Sequence, residues 1–386
     1  MIGFAYRELG KEEGLGPKIE NNLVWIGLEG IMDPPRKGVS KAISECRSAG
    51  IRVIMMTGDN PMTARAISEQ IGIESHKVFV GSQIGEMSDA EILRELRLGA
   101  NIFARLSPEN KFRIMRILKE DGNVVAMTGD GVNDALALKK ADVGVSMGIR
   151  GTEVAKQASD LILLDDNFVT VVSAVKEGRR IFDNIRKFVN YLLTSNLAEV
   201  AVIFFATIFI SLKEPILLPA QLLWINLLTD GFPALALGVD PARPGIMKEK
   251  PREKGTGVID KKLSWLISLI GAKKSIMLLA TFFAADYFYG SQVARTTLFT
   301  GFVLYEFVRV GSIRYQESLS WLSNKWLLAA LGFSLLLQAV VVYTPVSEFF
   351  GVVSLGFGPW IILVSGIVLG YLLAIWITRA VVKFFG

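Results

Sequence analysis

The 386-residue sequence has one cysteine and one histidine. A lone cysteine, Cys46, excludes an internal disulfide framework, and in its helix-like run it reads as a small buried apolar residue. His76 lies in a polar loop, which leaves no histidine-based catalysis or metal site to build on. There is no internal repeat and no low-complexity segment, and the first residues lack the apolar run and cleavage pattern of a signal peptide. The excess of one charge over the other is small as well: 42 Lys and Arg against 37 Asp and Glu leave a net +5. The basic residues cluster beside apolar runs, so nucleic acid is not an expected partner.

Apolar residues are abundant. They make up 51% of the chain, the mean hydropathy is +0.41, and the excess gathers in the second half. This is the composition of a membrane protein, in a chain with room for two or three domains. Spans are expected at about 186–211, 216–238, 265–288, 295–313, 326–345 and 359–382, each near the ~20 residues that a bilayer core requires. Lys273 and Lys274 fall inside the third and blur where it starts. Loops 239–262 and 314–325 are rich in Lys and Arg, while the opposite loops hold little beyond Lys213. That bias puts the preceding region and both termini in the cytoplasm.

Between residue 37 and about 168 the pattern alternates helix and strand, as in a doubly wound parallel sheet. A helix over 38–48 leads to a strand over 51–56, and further strands are expected at 101–105, 142–146 and 160–164. Ligands of such sheets collect at the carboxyl ends of strands. Thr57-Gly58-Asp59-Asn60 sits at one such end, where Thr57 and the Gly58 backbone are expected phosphate donors. The apolar run Val124–Met127 ends in Thr128-Gly129-Asp130-Gly131, and Asn133-Asp134 open the next helix. Asp130 and Asp134 can face one hard cation, and Mg2+ asks for only one or two carboxylates beside phosphate oxygens. Inside the spans lie Asn196 and Glu199, then Asn226, Thr229 and Asp230, then Glu306. Ionisable groups there are costly and mark ion paths by default. Carboxylates, amides and a hydroxyl together form the all-oxygen set that Ca2+ prefers. Gly231 and Pro233 weaken the helix beside Asp230 and are expected to free backbone carbonyls.

T-G-D-G-V-N-D-A at 128–135 resembles the hinge motif of P-type cation-transporting ATPases, whose phosphorylation domain has the haloacid-dehalogenase-like (Rossmann-like) α/β fold. The resemblance implies a tail of the nucleotide-binding domain over 1–22, a phosphorylation domain over 23–168 and an all-α bundle of six transmembrane helices over 169–386. It implies a catalytic set of Thr57, Gly58, Asp59, Lys111 and Asn133, with Lys111 neutralising phosphoryl oxygens from a P-x-x-K string. Asp130, with Asp134 beside it, would hold Mg2+, and Arg36 of D-P-P-R would either face ATP or serve as a structural hinge. S-N-L-A-E and W-I-N-L-L-T-D-G resemble the fifth and sixth spans of sarcoplasmic-reticulum-type calcium pumps. By that likeness Asn196, Glu199, Thr229, Asp230 and Glu306 form one cation site, and Asn226 and Asp230 share a second with a fourth-span glutamate. Ca2+ is favoured over Na+ or H+.

The family's phosphate acceptor, the aspartate of D-K-T-G, does not occur in the sequence, and Asp33 before Pro-Pro-Arg is no substitute. The reading is therefore the carboxyl-terminal part of a split, truncated or frameshifted pump, inactive alone and either poorly stable or dependent on a complementary piece. Without the acceptor strand, its neighbours are expected to expose unpaired edges. The rivals are a membrane-anchored phosphatase of the same soluble fold, which lacks a nucleophilic aspartate, and a non-catalytic membrane subunit that binds cations or pairs with a separate amino-terminal half. Incubated with radiolabelled ATP, the chain by itself is expected to take up no acid-stable phosphate, with or without Ca2+. Label on this chain would overturn the account of the missing acceptor.

Overall fold

The computed structural model describes residues 2–8, 20–30, 34–209 and 215–385. Asp33 and Lys213 lie outside them. The chain divides into two compact units, residues 1–47 with 52–169, and residues 48–51 with 170–386.

The first unit opens with an antiparallel hairpin, β1 (Ile2–Tyr6) against β2 (Val24–Glu29). Trp25 and Ile26 are 61% and 64% exposed, so this hairpin buries little of its own apolar surface. The remaining strands are β3 (Met55–Met56), β4 (Val78–Val80), β5 (Ile102–Ala104), β6 (Ala126–Gly129), β7 (Val143–Met147) and β8 (Leu161–Leu163). Instead of the single sheet expected, they form two parallel sheets of three strands, ordered β3-β5-β4 and β6-β7-β8. Strands β3 and β6 are each an edge, and among the described residues no strand joins them. Central β5 behaves as a parallel strand should, covered on both faces. Phe103 packs with Phe79, Ile92 and Ile114 on one side, while Ile102 and Ala104 pack with Ile43, Ala64 and Ile71 on the other. By contrast β3 is two residues long and only half-buried, and in β6 Ala126 and Thr128 are exposed. The β4 strand was not evident in the sequence.

Capping sets where the loops end. The helix Pro61–Ile71 begins with Pro61 at its first position, and the Asn60 side chain accepts the Met62 N–H at 2.9 Å. The helix Pro108–Glu120 begins the same way, with the Ser107 hydroxyl accepting from the Asn110 N–H at 3.3 Å. Each proline stands where a missing N–H costs nothing, so both turns after β3 and β5 stop at a fixed residue.

The second unit is helical. Among the described residues, four helices are long and apolar enough to cross a membrane: Phe168–Phe209, Lys261–Tyr289, Lys325–Tyr343 and Phe357–Phe385. The other two expected spans differ for physical reasons. The stretch 216–238 is broken into the helix Pro219–Trp224, a π-wound turn Ile225–Thr229 and the helix Gly231–Gly238. Pro233 cannot donate to the Thr229 carbonyl four residues back, and the Ser334 hydroxyl reaches that carbonyl instead at 3.5 Å. The helix Ser291–Gln316 is 26 residues long but carries Arg295, Glu306, Arg309 and Arg314. It tolerates Glu306, Arg309 and Arg314 because it packs inside the bundle, against Lys261–Tyr289 and Phe357–Phe385, where they are buried. The third span shows no ambiguity at its start. Asp260 caps it by accepting the Leu263 N–H at 2.8 Å, and Lys273 and Lys274 sit in mid-helix.

Asp240, wholly buried, ties three of these helices together. Its carboxylate takes Arg314 at 2.6 Å, Lys187 at 3.1 Å and the Asn324 amide at 2.7 Å, and its carbonyl takes Asn184 at 2.9 Å. Removing one member strands the others without water. Asp240→Ala is expected to destabilise the chain by about 3–5 kcal/mol, the cost of an unpaired buried charge, as measured by denaturant titration in mixed micelles.

Candidate functional site

Two groups of side chains emerge, one in each unit. In the first, three loops rise from one apolar floor. Met56, Phe112 and Met127 pack together with Ala137 and Leu138. Thr57 follows the first of these, Lys111 precedes the second, and Asp130 lies three residues past the third. Thr57 is held in a local turn: its hydroxyl donates to Asp59 Oδ2 at 2.9 Å and accepts the Asp59 N–H at 3.1 Å. The Asp59 carbonyl accepts from the Arg105 N–H and the Thr57 carbonyl from the Leu106 N–H, both at 3.0 Å, pinning the turn to the end of β5. Gly58 is exposed beside it.

Lys111, on the first turn of its helix, donates to Asp134 Oδ1 at 2.9 Å, and Asp134 is buried. Asp134 lies over Gly129 so closely that a Cβ there would come within 2.5 Å of the Asp134 Cβ. Glycine at 129 is thus demanded by packing. Asp130 and Asn133 are exposed, and among the described residues the Asp130 carboxylate makes no hydrogen bond. The Asp130 backbone carbonyl is fixed by the Thr152 N–H at 2.8 Å. One open carboxylate backed by a lysine-paired one suits Mg2+ that arrives with phosphate oxygens, and it is too little to hold the ion without them.

Arg36 donates to the Asp165 carbonyl at 3.1 Å, joining the segment after Pro35 to the turn after β8. Beside that turn, burial pushes the Asp166 carboxyl up, but the N–H groups of Ile149, Arg150 and Gly148 and the nearby Arg36 outweigh it. Asp166 therefore lies below the ordinary aspartate range. Its role as a clamp on the turn after β7 was not visible in the sequence.

The second group surrounds the π-wound turn. Glu199, Asp230 and Glu306 are 6%, 0% and 1% exposed and lie within electrostatic reach of one another. Asn226 donates to Glu199 Oε2 at 2.8 Å and to the Leu222 carbonyl at 3.0 Å. The Thr229 hydroxyl is spent on the Ile225 carbonyl at 3.1 Å. Glu199 Oε1, both oxygens of Asp230 and Glu306 Oε2 have no hydrogen-bond partner. Glu306 Oε1 accepts from Ser195 at 2.7 Å and from the Lys274 ammonium. Asn196 is exposed and makes none of these contacts, since it lies to one side of the face that Ser195 and Glu199 share. Sequence reading missed Lys274, and its signal was there: an ionisable side chain in an apolar run.

Two family models match the chain. Residues 5–142 match the family described as haloacid dehalogenase-like hydrolase, and residues 214–385 match that described as cation transporting ATPase, C-terminus. A calcium-transporting ATPase of Bacillus subtilis is 42% identical over 375 residues, covering 94% of this chain and 42% of the relative. An endoplasmic-reticulum-type calcium-transporting ATPase of Arabidopsis thaliana is 50% identical over 260 residues, covering 66% of this chain and 24% of the relative. A calcium-transporting ATPase of Yarrowia lipolytica is 41% identical over 359 residues, covering 89% and 38%. The chain thus spans less than half the length of these relatives. It belongs to the P-type cation-transporting ATPases and corresponds to their carboxyl-terminal part.

Proposed function

We propose that this chain is the cation-binding and phosphoryl-handling carboxyl-terminal part of an ATP-driven pump, with Ca2+ as the transported ion. The observation that carries the reading is the set of orphaned oxygens on Glu199 and Asp230. Buried carboxylate oxygens without partners are rare and costly in hydrocarbon, so they call for a ligand. The π-wound turn between Asn226 and Asp230 supports it, because such turns concentrate at functional sites. So does the naming of the relatives as calcium-transporting. Glu199, Asn226 and Asp230 are the ligands, Thr229 braces the turn, and Asn196 is left out.

In the soluble unit, the Thr57 turn and the exposed Gly58 N–H receive the phosphoryl group. Lys111, held ready by Asp134, donates to its oxygens. Asp130 holds Mg2+, and Asp134 orients it from behind. Mg2+ bound there would neutralise charge developing on the transferred group. The attacked aspartate comes from a partner segment whose strand occupies the edges left by β3 and β6. Six membrane crossings, with the soluble unit and both ends cytoplasmic, complete the assembly. The helix Phe168–Phe209 is unbroken over 42 residues, about 60 Å at 1.5 Å per residue, and carries Glu199. A shift of its first turns is carried stiffly to that side chain, linking two sites by a shared two-state element.

The test is uptake. Co-expressed with the preceding part of the Bacillus subtilis relative, the chain is expected to drive ATP-dependent Ca2+ accumulation into membrane vesicles. Glu199→Gln or Asp230→Asn should weaken Ca2+ activation by at least about tenfold, as even groups that merely support a ligand cost ~10–100-fold. Uptake unaffected by either variant sinks the reading. In the soluble unit, Gly129→Ala should lower stability by about 1–3 kcal/mol through overpacking against Asp134. Gly131→Ala, whose Cβ would meet nothing nearer than 3.8 Å, should leave the thermal melt unchanged.

A further inference from the structure

The carboxylate cluster already contains a cation. Lys274 is 2% exposed and bonds Glu306 Oε1, with its ammonium also 3.2 Å from the Ser195 hydroxyl. Among the described residues it is the only Lys or Arg bonded to any of the three carboxylates. Its neighbour Lys273 turns away, donating to the Gly370 carbonyl at 3.0 Å and standing over the Tyr305 ring at 5.4 Å. Successive helical residues are set about 100° apart, and here Lys273 faces Gly370 and Tyr305 while Lys274 faces Glu306. Arg309 is also buried, bonded to the Asn190 amide oxygen and, at 3.1 Å, to the Ser312 hydroxyl.

We propose that Lys274 is a tethered cation that takes the Glu306 end of the cluster, so that the chain binds one divalent ion where its resemblance to sarcoplasmic-reticulum-type pumps implies two. Charge decides it. Three carboxylates less one ammonium leave two negative charges, which a single divalent ion neutralises. A second ion would put excess positive charge into a low-dielectric interior that already holds Lys273 and Arg309, and repulsion there is weakly screened. Glu306 keeps one unpartnered oxygen, Oε2, so it can still touch an ion, but its charge is committed. Glu199 and Asp230 are the two carboxylates to which no Lys or Arg bonds, and Lys274 reaches them only through space. Lys274 is thus a specificity-determining residue, setting how many ions the site takes.

The inference rests on the Ca2+ reading of Glu199 and Asp230, and one titration separates the two. The full chain in lipid nanodiscs is equilibrated with radioactive Ca2+, and bound ions are counted per chain. Wild type is expected to hold one ion, Lys274→Met two, and the Lys274→Met/Glu306→Gln double variant one again. Lys274→Arg should keep the wild-type count. A melt run beside it distinguishes occupancy from packing: Ca2+ should raise the melting temperature of Lys274→Met by more than it raises that of wild type. Two ions on wild type overturn the proposal without recourse to any variant. One ion on both wild type and Lys274→Met overturns it while keeping the Ca2+ reading. No ion on wild type but one on Lys274→Met keeps Lys274 as the occupant of a cation position and removes the reading of Glu199 and Asp230. No ion on either removes both.

Discussion

Charge placed in hydrocarbon must be answered, and the second unit is organised by how each charge is met. Asp240 is answered in full, by Lys187, Arg314 and Asn324, and the result is a rigid knot. Glu306 is answered on one oxygen by Lys274 and Ser195. Glu199 has a single amide, and Asp230 has nothing. Burial of a carboxylate is tolerable only with good partners, so this gradient from satisfied to bare is a gradient from scaffold to site. The helix Ser291–Gln316, with Glu306, Arg309 and Arg314 buried along it, is correspondingly enclosed by its neighbours.

The first unit obeys a different demand. A parallel strand wants partners along both edges and cover on both faces. β5 has all of these, whereas β3 and β6 each lack an edge partner. The shared packing of Met56, Phe112 and Met127 nonetheless brings residues from both sheets to one floor. Side-chain packing therefore preserves the neighbourhood of the loops where hydrogen bonding between strands is interrupted.

Much of this could be read from residues alone, and the failures have identifiable causes. The strands at 102–104, 143–147 and 161–163 fell within runs of apolar residues bounded by turns, and the sequence places them well. Val78–Val80 escaped because three residues are too few to show a period. The strand expected over 51–56 shrank to its last two residues, as an edge without a neighbour would. Spacing of three placed Asn196 with Glu199, yet Ser195 at a spacing of four shares the buried face and Asn196 does not. Two lysines in an apolar run blur a helix start in the sequence, and this masks Lys274. Only tertiary structure could show that the Glu306 carboxylate sits opposite.

The π-wound turn at Ile225–Thr229 has one further consequence. It stores one residue more than α winding would use over the same stretch, with the Asp230 N–H reaching back five residues to the Ile225 carbonyl at 2.9 Å. Letting that extra residue slip would turn everything on one side of it by about 100° relative to the other. Asn226 would swing off Glu199 while Asp230, beyond the slip, kept its bearing. A single-residue ratchet of this kind would open the proposed ion site from one flank, with no helix needing to tilt.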